Sequence, residues 1–422
     1  MHVRTPRRGR VLALALAAGV SVLAGAAPLQ AAPPGVVRAA EGPSCDETST
    51  DGDRTVTGEN AASALLQVPE ATTVAAREGR KPGAGVTVVV VDAPFADLDP
   101  AGFEPLETGH GVVAAGIVGA RDQKEPEPVA GGIAPSARLV GRPFYLAPRG
   151  AEKGKVVPTS NGLATVLDSV AGEVRRGVHG RRVVVLVPME VASSPALTAA
   201  VRRLHASGAL VVAAAGDRPQ GEGFLEDYVG EPKPGEDAAA EVWPAGDPRV
   251  VTAGVSVPDP YETVLRNSGV DLAAPGTGSV SIGLNGGWCV VTSVSTHWAA
   301  AQVAGVAALV WSVFDGDTAA ELRARLEGSA SGNGGQASPL TGSGVVQARA
   351  ALQRPVEGMA QDERDDESVP RGQVPRERAD LLAGPRHDAV WWGLAGGGAV
   401  VVLLVLRPVL ARRRGTSTRP GR

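Results

Sequence analysis

Few side chains in this sequence of 422 residues can act as a base, a nucleophile or a soft metal ligand. There are six histidines and two cysteines. His179, His205 and His387 lie in polar or basic surroundings and read as surface residues. His110 and His297 differ, because each sits among small and apolar neighbours, in Gly109-His110-Gly111 and Thr296-His297-Trp298. Asp92 directly follows the apolar run Val86 to Val91. A carboxylate beside an imidazole suits proton transfer, and a His/carboxylate set also suits divalent metals. On position alone Asp92 is a site candidate, and equally an ordinary strand-ending aspartate. Cys45 and Cys289 are the two cysteines; on the exported side of a membrane such a pair is expected as a disulfide.

The elements that position these groups follow from the apolar pattern. Val86 to Val91, Val183 to Val187, Ala209 to Ala215 and Arg249 to Val255 are short Val-rich runs bounded by turn residues. Such runs predict strands buried on both faces, hence a parallel sheet. Leu163 to Arg176 and Ala196 to Ala206 have helical spacing between them. Alternating strands and helices imply an α/β domain with a doubly covered, mostly parallel sheet. Ligands of such sheets bind beyond the carboxyl ends of the strands, where Asp92 falls.

The flanks read as export and anchoring signals. Arg4, Arg7, Arg8 and Arg10 precede an apolar run from Val11 to Leu23 and the small residues ending at Ala31, which predicts a signal peptide over 1–31. Residues 32–60 read as an N-terminal strap, and residues 354–388, with the acidic run Asp362 to Glu367, as a solvated stalk. Ala389 to Leu406 is apolar, begins near Trp391 and Trp392, and is followed by Arg407, Arg412, Arg413 and Arg414. That pattern predicts a single membrane span over 389–406 with a cytoplasmic basic tail, 407–422, and the large domain outside. The net charge of −4 and the scattered basic residues give no footprint for nucleic acid.

Five further stretches, in order, carry a family resemblance. They are Asp92, Gly109 to Ala120, Gly132-Ile133-Ala134-Pro135-Ser136-Ala137, Asp271-Leu272-Ala273-Ala274-Pro275-Gly276, and Thr296 to Val310. Together they resemble the subtilisin-like (S8) serine peptidases, over residues 61–353 as one domain. Within that family the chain looks most similar to the mycosins, the membrane-anchored proteases of type VII secretion systems. Leu65 to Ala71, Gly344-Val345-Val346, the stalk and the C-terminal apolar segment carry that likeness, and the composition has an actinobacterial flavour. The resemblance implies a subtilisin-like three-layer fold, attachment to the cell membrane and association with type VII secretion membrane components. It implies no cofactor.

Carried over by position, Asp92 takes the place of the triad aspartate and His110 that of the general base. The nucleophile position holds His297, within Ser295-Thr296-His297-Trp298-Ala299-Ala300-Ala301. Asp217 follows Ala213 to Gly216, where the family has an asparagine that donates to the oxyanion. An ionised carboxylate has no donor to offer there. Losing one oxyanion donor costs about 10² to 10³ in rate, and losing the nucleophile about 10⁶. Val187-Pro188-Met189-Glu190 replaces the family's substrate-pairing strand, and Ala93-Pro94 its usual residues after the aspartate. The expectation is a pseudoprotease serving as a membrane-anchored scaffold. Two alternatives stay open: an active serine endopeptidase using Ser293 or Ser295, and a divalent-metal site built from His110, His297, Asp92 and Asp217.

Overall fold

A computed structural model of the chain describes residues 38–45, 54–95, 108–149, 151, 154–219, 221, 224–284, 286–332, 337, 338, 340–354, 397–400, 402 and 404–407. The expected signal peptide, and the expected stalk beyond Arg354, lie outside the described residues. Of the expected membrane span, residues 397–400, 402 and 404–406 are described and helical. Among the described residues no helix is long and apolar enough to cross a membrane.

The Val-rich runs form the strands they predict. They are β1 (Thr87–Val90), β3 (Val183–Val187), β4 (Leu210–Ala214) and β5 (Val251–Val255), joined by the shorter β2 (Arg138–Gly141) and β6 (Leu272–Ala274). β-Branched side chains favour the pleated, packed environment of a sheet. All five pairings are parallel, in the order β2-β1-β3-β4-β5-β6. Side chains alternate across the sheet. Val88, Val90, Val184 and Leu186 belong to one core, whereas Val89, Val183, Val185 and Val187 belong to the other.

Helices cover both faces. α4 (Ser160–Arg175) and α5 (Pro195–His205) bury Leu163, Leu167, Val170, Leu197, Val201 and Leu204 against one side. Each begins on a hydroxyl cap, Thr159 or Ser194, whose oxygen accepts a backbone N–H. α3 (His110–Gly119) and α6 (Thr296–Val313) lie on the other side and are buried almost all round, as apolar composition on every face requires. A glycine lets α6 approach the segment that follows α3 closely. A Cβ on Gly305 would stand 2.9 Å from Ile133 Cβ.

Sheet order places the site. From β1 the chain moves outward to β2, then returns past β1 to β3 and continues toward β6. The direction therefore switches between β1 and β3, and such a switch opens a crevice at the carboxyl ends of the strands. The N-terminal strap runs along the hairpin β7 (Val280–Ile282) and β8 (Trp288–Val290). Cys45 N donates to Val290 O at 2.9 Å, Val290 N to Pro43 O at 2.9 Å, and Cys45 is bonded to Cys289.

One expectation is corrected. His179 is buried, not a surface residue: its Nε2 lies 2.7 Å from Glu173 Oε2 on α4. Its basic neighbours Arg176 and Arg181 point outward while the ring turns in beneath the helix end. Between them Gly177 and Gly180 take φ of +73° and +79°, the left-handed turns that reverse the chain there. His205 is exposed, as expected, and His387 lies outside the described residues.

Candidate active site

Each strand end beside the crevice delivers one polar side chain. Asp92 follows β1, Tyr145 follows β2, Glu190 follows β3 and Asp217 follows β4. Two helix starts face them. His110 is the first residue of α3, and His297 is the second residue of α6, after its cap Ser295.

The structure brings Asp92, His110 and His297 into one continuous hydrogen-bonded row. His110 Nδ1 is 2.6 Å from Asp92 Oδ2, and His110 Nε2 is 2.9 Å from His297 Nδ1. The row continues, because His297 Nε2 is 2.6 Å from Glu190 Oε2. Arg149 closes the far end by donating to Glu190 Oε1 at 3.0 Å and to the Glu190 carbonyl, with its guanidinium 5.1 Å from the centre of the Phe224 ring. At the near end the Tyr145 hydroxyl donates to Asp92 Oδ1. Trp298 packs its indole on the His110 ring, with centroids 4.8 Å apart, and fixes that imidazole from the side.

Asp217 takes part differently. Its Oδ1 accepts from Thr296 N at 2.8 Å and Thr296 Oγ1 at 2.7 Å, and its Oδ2 from Ser295 Oγ at 2.5 Å. The carboxylate thus caps the start of α6, where free N–H groups and the helix dipole favour negative charge. His297 Nε2 is 3.8 Å from Asp217 Oδ2. Ser295 Oγ also accepts from His297 N at 3.0 Å, and Ser293 Oγ accepts from Trp298 Nε1 at 3.2 Å. Neither hydroxyl is bonded to His110.

Charge decides the protons. Burial by itself would depress the basicity of His297, and so would its place at a helix N-terminus. The carboxylates of Asp217, Glu190 and Asp92 outweigh both and hold it up to about 9. Burial would raise Glu190, but the His297 and Arg149 cations outweigh that and hold it down to about 2. At neutral pH the pair is therefore an imidazolium and a carboxylate. Burial, then the Asp92 charge, pushes the Tyr145 phenol well above its ordinary value, so it stays a donor. His297 protonated on both nitrogens donates from Nε2 to Glu190 and from Nδ1 to His110 Nε2. His110 then accepts at Nε2 and donates from Nδ1 to Asp92. The lone pair that a general base would offer is already taken.

The same geometry bears on metal chemistry. His110 and His297 point their ring nitrogens at each other across a hydrogen bond, not at a common point between them. Among the described residues no group of three or more His, Cys, Asp or Glu is arranged to hold a metal ion.

Glu190, Tyr145 and Arg149 were not singled out as site residues from the sequence. Glu190 had one readable signal: like Asp92, it is a carboxylate just past a fully apolar strand. Tyr145 and Arg149 come from the segment after β2, whose path depends on packing far from its own sequence.

Comparison with known proteins agrees with this architecture. The model of the subtilase family matches residues 89–346. Mycosin-1 of Mycolicibacterium smegmatis is 29% identical over 311 residues, covering 64% of this chain and 68% of that protein. Mycosin-1 of Mycobacterium tuberculosis is 29% identical over 319 residues, covering 64% and 69%. The crystal structure of MycP1 with its N-terminal propeptide removed superposes with a TM-score of 0.52 at 25% identity, covering 70% of this chain and 98% of that one. MycP3 protease from the type VII (ESX-3) secretion system gives a TM-score of 0.53 at 24% identity, over 75% and 92%, a likeness of fold. The α/β subtilisin-like fold with a mostly parallel sheet, expected from the motifs, is borne out.

Proposed function

The chain belongs to the subtilase family, and on that premise we propose that it is a mycosin-like pseudoprotease, held at the cell membrane by its C-terminal segment and acting as a scaffold in a type VII secretion system. One observation carries the loss of catalysis. The imidazolium of His297 stands at the nucleophile position and donates to His110 Nε2, the atom that must accept a proton from a nucleophile. A serine hydrolase needs that lone pair free and a hydroxyl beside it. Glu190 and Asp217 hold the imidazolium in place, and Asp217 sets negative charge at the position from which the family donates to an oxyanion. These bonds also speak against the displaced-nucleophile alternative, since Ser295 Oγ is engaged by Asp217 and the His297 N–H.

Secretion-system membership is supported by the likeness to Mycosin-1 of two mycobacteria, since the mycosins are proteases of type VII secretion systems. Membrane attachment is supported by the apolar stretch Ala389 to Leu406 and the arginines after it. A fluorophosphonate serine-hydrolase probe tests the central claim. The purified chain should remain unlabelled, and a covalent adduct mapping to Ser293 or Ser295 would overturn it.

A further inference from the structure

The end of the sheet opposite the site has a distinct chemistry. Because the strands are parallel, the amino ends of β2, β1 and β3 lie side by side there. Arg175 and Arg176 close α4, Arg181 and Arg182 precede β3, Arg138 opens β2, and Lys81 lies in the turn before β1. Backbone bonds draw these segments together. Thr87 N donates to Arg182 O at 3.0 Å, Arg138 N to Val86 O at 3.0 Å, and Ser136 N to Pro82 O at 2.9 Å. Thr87 Oγ1 donates to His179 O at 2.8 Å.

Among the described residues none of these six cations has an ion-pair partner. Arg182 and Arg138 donate to the carbonyls of Trp311 and Val178. The acids close by are already engaged, Asp315 by Arg80 at 2.8 Å and Glu173 by Arg142 at 2.9 Å. This cluster belongs to a chain whose net charge is −4, so the excess positive charge is local. Val178 stands in its midst, 47% exposed, between the two left-handed glycines.

We infer that this end of the sheet is a docking face for an anionic lipid surface. Five of the six cations are arginines, whose planar guanidinium matches phosphate oxygens in pairs. A valine in their midst suits the boundary between headgroups and acyl chains. Aromatic side chains that would stack on nucleic-acid bases are missing from these segments. The inference rests on the membrane-anchored reading: a chain tethered to a bilayer presents its faces to that bilayer at high effective concentration. Docking by this end would turn the His110–His297 site, at the other end of the strands, away from the membrane.

The test uses the full chain carrying Val178→Cys with an environment-sensitive fluorophore; the native cysteines are bonded to each other. It is mixed with phosphatidylcholine vesicles, with and without phosphatidylglycerol. Emission should shift to the blue only with the anionic lipid, and high salt should reverse the shift. Arg175→Gln, Arg176→Gln and Arg181→Gln together should abolish it, since each charge contributes about fivefold and three roughly 100-fold in partitioning. Flotation with both compositions but unshifted emission would overturn docking alone, as expected if the face serves an acidic protein. Flotation with anionic vesicles only would remove the anchor and leave docking standing. Flotation with neither would overturn both.

Discussion

Replacing His297 with alanine is the most informative perturbation of the site, because it separates a functioning ion-pair network from an ornamental one. In the native chain the imidazolium is 12% exposed and its partner Glu190 is 5% exposed. Removing one member of a buried pair costs about 3–5 kcal/mol where the other charge loses its compensation, and Glu190 keeps only the partly exposed Arg149. Unfolding roughly 290 residues carries an entropy of about 0.6 kcal/mol/K, so the melting temperature should fall by about 5–8 °C near neutral pH.

The pH dependence makes the test specific. His297 is held up to about 9 from an ordinary value of 6.5. A raised value in the folded state means that the folded protein binds the proton more tightly. Its stabilisation is therefore complete below about pH 6.5 and disappears as pH rises through 9. The gap corresponds to about 3 kcal/mol, or about 5 °C in melting temperature. Calorimetric melts of the full chain from pH 6.5 to 9.5 would show that decline in the wild type and its loss in His297→Ala. A wild-type curve as flat as the variant's over this range would refute the charge assignment.

Three further outcomes follow from the geometry. His297→Ser alone should restore little peptide cleavage, because Asp217 and Glu190 stay; adding Asp217→Asn and Glu190→Gly should raise the rate, by about 10² to 10³ for the oxyanion donor, in a fluorogenic-peptide assay. Replacing Cys45 and Cys289 together by serine should cost up to about 5 kcal/mol, since the bridge closes a separation of 244 residues. Arg218→Ala should destabilise by about 3–5 kcal/mol, read in a denaturant melt, because Arg218 and Glu236 are each only 2% exposed and the buried carboxylate would lose the Arg218 counter-charge, keeping the Lys233 N–H at 3.3 Å.

Much of this organisation was legible in the sequence because each strong signal had a local cause. The β1, β3, β4 and β5 runs are Val-rich, since strands covered on both faces need apolar residues at every position, and their ends could be read to within a residue or two. The strands β2 and β6 carried no such signal. β2 is an edge strand beginning with Arg138, and β6 is three residues long, Leu272-Ala273-Ala274. The union of Asp92, His110 and His297 was readable only through motif order, because 187 positions separate the two histidines. His179 was misread because neighbouring charges describe a turn's outer side and say nothing of the one ring that turns inward.

The changes around the crevice depend on one another, and that dependence separates remodelling from decay. An imidazolium at the start of α6 opposes the helix dipole and is poorly solvated, so alone it would be unstable there. Asp217 answers the dipole by capping Ser295 and Thr296, and its charge also faces His297. Glu190 answers the ring's outer nitrogen, and it is buried too deeply to remain charged without His297 and Arg149. Random loss of a serine would leave His110 Nε2 facing water or a cavity; here that nitrogen has a charged donor, and the donor has two carboxylates of its own. Reverting any one of these residues singly should therefore destabilise the fold before it restores any chemistry. The network works as a bolt between β1, β3, β4 and α6, and rigidity of that kind is what the non-cleaving scaffold role proposed above requires.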